Sequence, residues 1–165
     1  MKTRRKMALM LVALLVLSTG SVIAQTDSAI QLDAVAEIEV EVVDDQGEKK
    51  IQRQEASLVV PGDEVIYTIN FANVGQEPVD DVVITNPVPE HMLFRLMDGN
   101  GSGMRITMSV DGGQQYGAPE TLTVTDADGS ERPAKPQDYT HIRWAFDRPV
   151  EPGDKGSVGF RALLL

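Results

Sequence analysis

Few side chains in this 165-residue chain can do chemistry. The imidazoles number two, His91 and His141, and there is no cysteine. The lack of a thiol excludes a thiolate nucleophile, a thiolate metal site and redox exchange. A histidine metal pair would need both rings to converge with a carboxylate. His141, however, opens a strand pattern on the side opposite Trp144, and His91 follows Pro89 ahead of an apolar run, so both read as surface residues. Hydrolysis would need a nucleophile with a base in reach. Ser57, Ser102, Ser109, Ser130 and Ser157 all stand in turn or strand contexts, and no Gly-x-Ser-x-Gly occurs. Paired carboxylates are so abundant at this charge that they identify no reaction.

The strongest ligand pattern is oxygen-based. Residues 126–131, "DADGSE", and the pair Asp80-Asp81 offer clustered carboxylates. Alternating Asp around a glycine is how a short loop brings several oxygens onto calcium, which makes Asp126 and Asp128 the metal candidates. The spacing lacks the first Asp and the terminal bidentate Glu of an EF-hand loop. Asn100-Gly101-Ser102 formally matches a glycosylation acceptor but reads better as a flexible turn. No catalytic residue is expected, and no cofactor beyond calcium; the chain reads as a non-enzyme.

The ends and the charge define a compartment. "MKTRRKMALMLVALLVLSTGSVIAQ" joins a basic start to an apolar run over 7–17 and then to small residues ending at Ala24. That order predicts a secretory signal peptide over 1–24, cleaved after Ala24. The uncharged stretch falls short of the roughly 20 predominantly apolar residues of a spanning helix, so no stable membrane insertion is expected after cleavage. No Cys follows it, which excludes a lipidated lipoprotein. Removing 1–24 leaves 141 residues, one domain by length, with 11 basic against 25 acidic side chains. Such a surface repels nucleic acid and anionic headgroups. The expected location is periplasmic or extracellular. Stability must come from an apolar core, since disulfides are impossible.

The elements that would position any site are almost all of period two. Residues 25–34, "QTDSAIQLDA", read as a flexible tether ahead of a domain over 35–165. "AEIEVEVV" alternates Ala36, Ile38, Val40 and Val42 with glutamates, a half-buried strand. Gly47 in "DDQGEKK" lets it fold back as a hairpin. Pro61-Gly62-Asp63 then precedes a strand with Val65, Tyr67, Ile69 and Phe71 on one face. Val82–Thr85 is stopped by Pro87 and Pro89, which mark an edge or a crossing between sheets. Further strands carry inward Met104, Ile106, Met108 and Val110; Leu122 and Val124; Ile142, Trp144 and Phe146; and Val158, Phe160 and Ala162. The count is about eight or nine short strands with turn signals between them, an all-β sandwich or barrel. Trp144, Tyr67 and Phe160 fall on inward positions and belong to the core.

The stretch "VVPGDEVIYTINFANVGQEPVDDVVITNPVPEHMLF" resembles the repeat of bacterial envelope and surface proteins known as domain of unknown function 11. Pro61, Gly62, Asp63, Tyr67, Asn73, Gly75, Val82 to Thr85, Pro87 and Pro89 carry the likeness, with Asn86 where Asp is usual. "IRWAFDRPVEPGDKGSVGFRALL" is similar to that family's close, so the likeness spans about residues 55–165, with a central insertion. The resemblance implies an immunoglobulin-like antiparallel β-sandwich, here in one copy, and brings no catalytic residues with it. Two functional classes follow as expectations. The first is a non-catalytic exported envelope module that contacts an envelope or extracellular protein, through an exposed edge strand for example, or serves a structural role. The alternative is a calcium- or small-ligand-binding accessory protein.

Overall fold

The computed structural model describes residues 29–98 and 103–165. The expected signal peptide therefore lies outside the described residues, as do Asn100 to Ser102. The described chain is all-β, with antiparallel sheets in a sandwich-like arrangement. A five-stranded sheet has the order β2 (Lys49–Glu55), β1 (Ile30–Val43), β3 (Glu64–Asn73), β10 (Lys155–Leu164), β5 (Met92–Asp98). A three-stranded sheet has the order β4 (Val83–Pro87), β9 (His141–Phe146), β6 (Met104–Ser109). A small ribbon pairs β7 (Thr123–Thr125) with β8 (Glu131–Pro133).

The core is made by three strands packed on three. From the larger sheet come Ile69 on β3, Val158, Phe160 and Ala162 on β10, and Phe94 on β5; the smaller sheet answers with Ile84, Met108, Ile142 and Trp144. Trp144, Phe160 and Ile142 are essentially inaccessible to solvent. Tyr67 stacks on Phe160 with ring centroids 5.0 Å apart, and Phe71 meets Phe146 edge-on at 4.9 Å. The alternation over 65–71, 142–146 and 158–162 thus reports a real inner face. β1 contributes nothing to the fully buried set, because the three-stranded sheet is too narrow to cover it.

Two Pro-Gly-Asp corners clamp the central pair of strands. Val60 to Asp63 closes with Asp63 N–H donating to Val60 O (3.0 Å), while the Asp63 carboxylate accepts from Val60 N–H (2.9 Å). Gly62 has φ of 100°, the value that position i+2 of a type II turn requires. Its N–H donates to Leu164 O, so the corner that opens β3 grips the end of β10. Glu151 to Asp154 repeats the device at the start of β10, with Gly153 N–H on Asn73 O and Asn73 N–H on Asp154 O, gripping the end of β3. Each corner fixes where one strand begins against where its neighbour ends, and so sets the register.

Two expectations are corrected. Residues 30–34 are not tether: β1 starts at Ile30, whose pairing runs Ile30 to Asn73, Leu32 to Phe71 and Ala34 to Ile69. Ile30, Leu32 and Ala34 do alternate with Gln31 and Asp33, and the register with β3 realises that short pattern. The stretch "TLTVT" does not form a sandwich strand. A single 3-10 turn over Pro119–Thr121 precedes β7, Leu122 reaches the core edge, and β7 pairs with β8 alone. Ile66 lies on the face opposite Val65, Tyr67, Ile69 and Phe71, as the alternation requires, yet is buried at 1 % exposure, under side chains described below. The prolines behave as expected: β4 pairs only with β9 and ends at Pro87, and the chain then crosses to the other sheet.

Candidate functional site

Asp126 and Asp128 of "DADGSE" are engaged within their own hairpin. Arg132 directs its Nε at both oxygens of Asp126 (3.0 and 3.1 Å) and grips Asp138 through Nη1 and Nη2 at 2.6 and 3.0 Å. The guanidinium, chiefly by its hydrogen bonds, holds the Asp138 carboxyl below the usual carboxylate range. Asp128 accepts from the Ser130 hydroxyl (2.7 Å) and amide (3.0 Å), which lowers its own pKa. Among the described residues no three His, Asp or Glu groups gather as a metal site.

The two histidines, by contrast, come to one place. His91, His141, Glu90, Tyr139 and the prolines 87 and 89 line a cleft of about 470 Å³ beside the β4 edge. His91 sits in the left-handed region with φ of 64°, and its carbonyl accepts from Leu165 N–H. His141 Nδ1 lies 3.2 Å from Thr140 Oγ1. Sequence spacing gave no hint of this meeting, since 50 residues and a sheet crossing separate the rings. Ser109, directly opposite His141 across β6 and β9, also neighbours Asp111. That trio is ordered wrongly for nucleophilic chemistry: Ser109 is fully buried, its hydroxyl donates to the Asp111 carboxylate (2.7 Å), and its oxygen accepts from Gly113 N–H. The group ties the 109–115 loop together, and the amides of Gln115 and Gln114 help depress the Asp111 pKa.

The most exposed regular element is β2. All seven of its residues face solvent, and its one strand neighbour among the described residues is β1. The hairpin that carries it is well built. Asp44 accepts from Gln46 and Glu48 amides (2.9 Å each), pairs with Lys50, and has a lowered pKa chiefly through that lysine. The backbone bonds Ala56 N–H to Ala36 O and Asp44 N–H to Glu48 O fix the phase of the ladder. Every second pair is hydrogen-bonded in an antiparallel ladder, so Lys50, Gln52 and Gln54 bond to β1. The N–H and C=O groups of Lys49, Ile51, Arg53 and Glu55 therefore point away from the sheet. Beside this edge, the inner face of β1 leaves Leu32, Ile38, Val40 and Val42 only partly covered. At its other end, Leu32, Phe71, Lys155 and Gly156 help line a cleft of about 600 Å³.

An ionic network stiffens the outer face behind the edge. Arg161 on β10 bonds Glu39 on β1 (2.9 and 3.1 Å), Glu64 on β3 (3.1 Å) and Asp98 on β5 (3.4 Å). Arg53 on β2 closes the chain with Asp98 at 3.2 Å and Glu39 at 3.6 Å. Side chains from all five strands thus join, and the sheet must curl for its two edge strands to meet this way. Ile66 lies on this face, paired with Arg161 on one side and Glu37 on the other, and the network covers it. Hydrogen bonds from Arg161 lead the causes that lower the Glu39 pKa, and the same bonds raise that of Arg161.

The fold and its exposed features define a two-sheet antiparallel β-sandwich with an overhanging hairpin. Family models, curated proteins and solved structures show no match to this chain.

Proposed function

We propose that this chain is a non-catalytic, exported contact module, an immunoglobulin-like sandwich that engages an envelope or extracellular protein by adding a strand at β2. The observation that carries the reading is the edge itself: seven exposed residues with four outward backbone positions, held rigid by a capped turn and a five-strand ion network. Strand addition draws affinity from main-chain hydrogen bonds and specificity from alternate side chains, and both are available there. The partly covered inner face of β1 extends the surface a partner strand would meet. The envelope-repeat likeness rests on Pro61, Gly62, Asp63, Tyr67, Asn73, Gly75, Val82 to Thr85, Pro87 and Pro89, together with the closing stretch over 142–164. Export rests on the composition of residues 1–24.

The test uses a substitution that touches only the outward edge. Ile51→Pro deletes a donor that β1 does not use, and proline is tolerated on an edge strand at such a position. Wild-type protein is expected to capture a partner from an envelope extract, and Ile51→Pro to lose it while keeping the wild-type circular dichroism spectrum. Equal capture by both proteins would overturn the assignment of contact to β2.

A further inference from the structure

Resting on that reading of β2, we infer that the strand which completes this edge is β2 of a second copy, in an antiparallel two-fold register centred on Gln52. The ladder phase permits few registers. An outward residue must face an outward residue, so Lys49, Ile51, Arg53 and Glu55 can oppose only one another. Centring on Ile51 sets Lys49 against Arg53, and centring on Arg53 sets two arginines face to face; like charges directly opposed are destabilising. Centring on Gln52 sets Lys49 against Glu55 at both ends and Ile51 against Arg53 twice. On the inner face it sets Lys50 against Gln54 and Gln52 against itself.

Each of those pairs suits the chemistry of the single chain. Glu55 has no ion pair of its own among the described residues, and Lys49 is an exposed side chain paired only with Glu41. Arg53 keeps its carboxylates on the outer face, leaving its methylene stem to cover Ile51, which is 65 % exposed in one copy. Four hydrogen-bonded pairs join the two edges, and the two five-stranded sheets become one. The interface is isologous, so it closes at two copies and presents no free β2 edge to a third.

The chain has no cysteine, so one introduced thiol reports on the register without interference. Gln52 faces its own copy as a non-hydrogen-bonded pair with Cα atoms about 4.5 Å apart, inside the range a disulfide spans. The two copies of Lys50 stand four residues out of register, roughly 13 Å apart, and cannot bridge. Under mild oxidation the Gln52→Cys protein is expected to form disulfide-linked dimer at least about tenfold faster than Lys50→Cys. Wild-type protein is expected to sediment as a dimer across the micromolar range, and Ile51→Pro as a monomer. A wild-type monomer with equal cross-linking rates for the two cysteines overturns the inference. If that monomer still captures an envelope protein in a manner blocked by Ile51→Pro, the contact role of β2 stands and only self-pairing falls.

Discussion

At the scale of single residues, polar side chains here act mainly as stitches. Asn73 is 2 % exposed, and its amide donates to Val150 O (2.8 Å) and Glu77 O (3.0 Å) while its oxygen accepts from Gly75 N–H (2.9 Å). Asn73→Ala leaves Glu77 O and Gly75 N–H without a partner and takes one of two donors from Val150 O, which keeps Val79 N–H, and should cost about 1–3 kcal/mol in urea unfolding; a change within experimental error would show that water replaces the amide. The Asn-x-Gly spacing was legible as a turn, but the hold on Val150, 77 residues away, was not, because only the folded register brings it near. Carboxylates set the acid limit. Glu39, Asp44, Asp111, Asp128 and Asp138 all have lowered pKa values in the folded protein. The unfolded chain therefore binds more protons as the pH falls through their range. Their stabilisation is intact above the ordinary carboxylate value and is lost below it, so the melting temperature should hold from pH 7 to about 5 and fall steeply towards pH 2. A melting temperature that is flat or rising over that acid range would contradict the hydrogen bonds assigned to these groups.

At the scale of elements, what could be read in advance depended on whether a strand buries a face. β3, β9 and β10 alternate cleanly because each sends side chains into the core, and their inward residues follow from the pattern. β2 carries "KKIQRQE" with no alternation, since neither of its faces is buried; β1 alone makes it a strand. Burial of Ile66 escaped the pattern for a related reason, as the side chains covering it come from distant strands. The uneven sheets predict an uneven response to truncation. Phe160→Ala removes a ring from the centre of the three-on-three core and should cost about 3–5 kcal/mol. Val42→Ala, on the overhang, should cost about 1 kcal/mol or less, because the site is already partly solvated. Comparable losses at the two sites would mean that the hairpin is packed far more tightly than its exposure indicates.

At the scale of the molecule, the sandwich supplies stability and the overhang supplies an edge. Period-two alternation and the turn signals between strands made the all-β class legible. The curl that links Arg53 to Asp98 was not, since it arises from side chains meeting across five strands. Everything proposed for this protein depends on the outward groups of β2 being unpaired in a single copy. Amide hydrogen exchange on dilute protein measures this directly. The account predicts that Ile51 and Arg53 exchange almost as fast as an unstructured chain. Gln52 and Gln54, bonded to β1, should be slower, and the β3 and β10 amides slowest. Strong protection of Ile51 and Arg53 in the dilute monomer would mean that the chain covers its own edge, and would contradict the account.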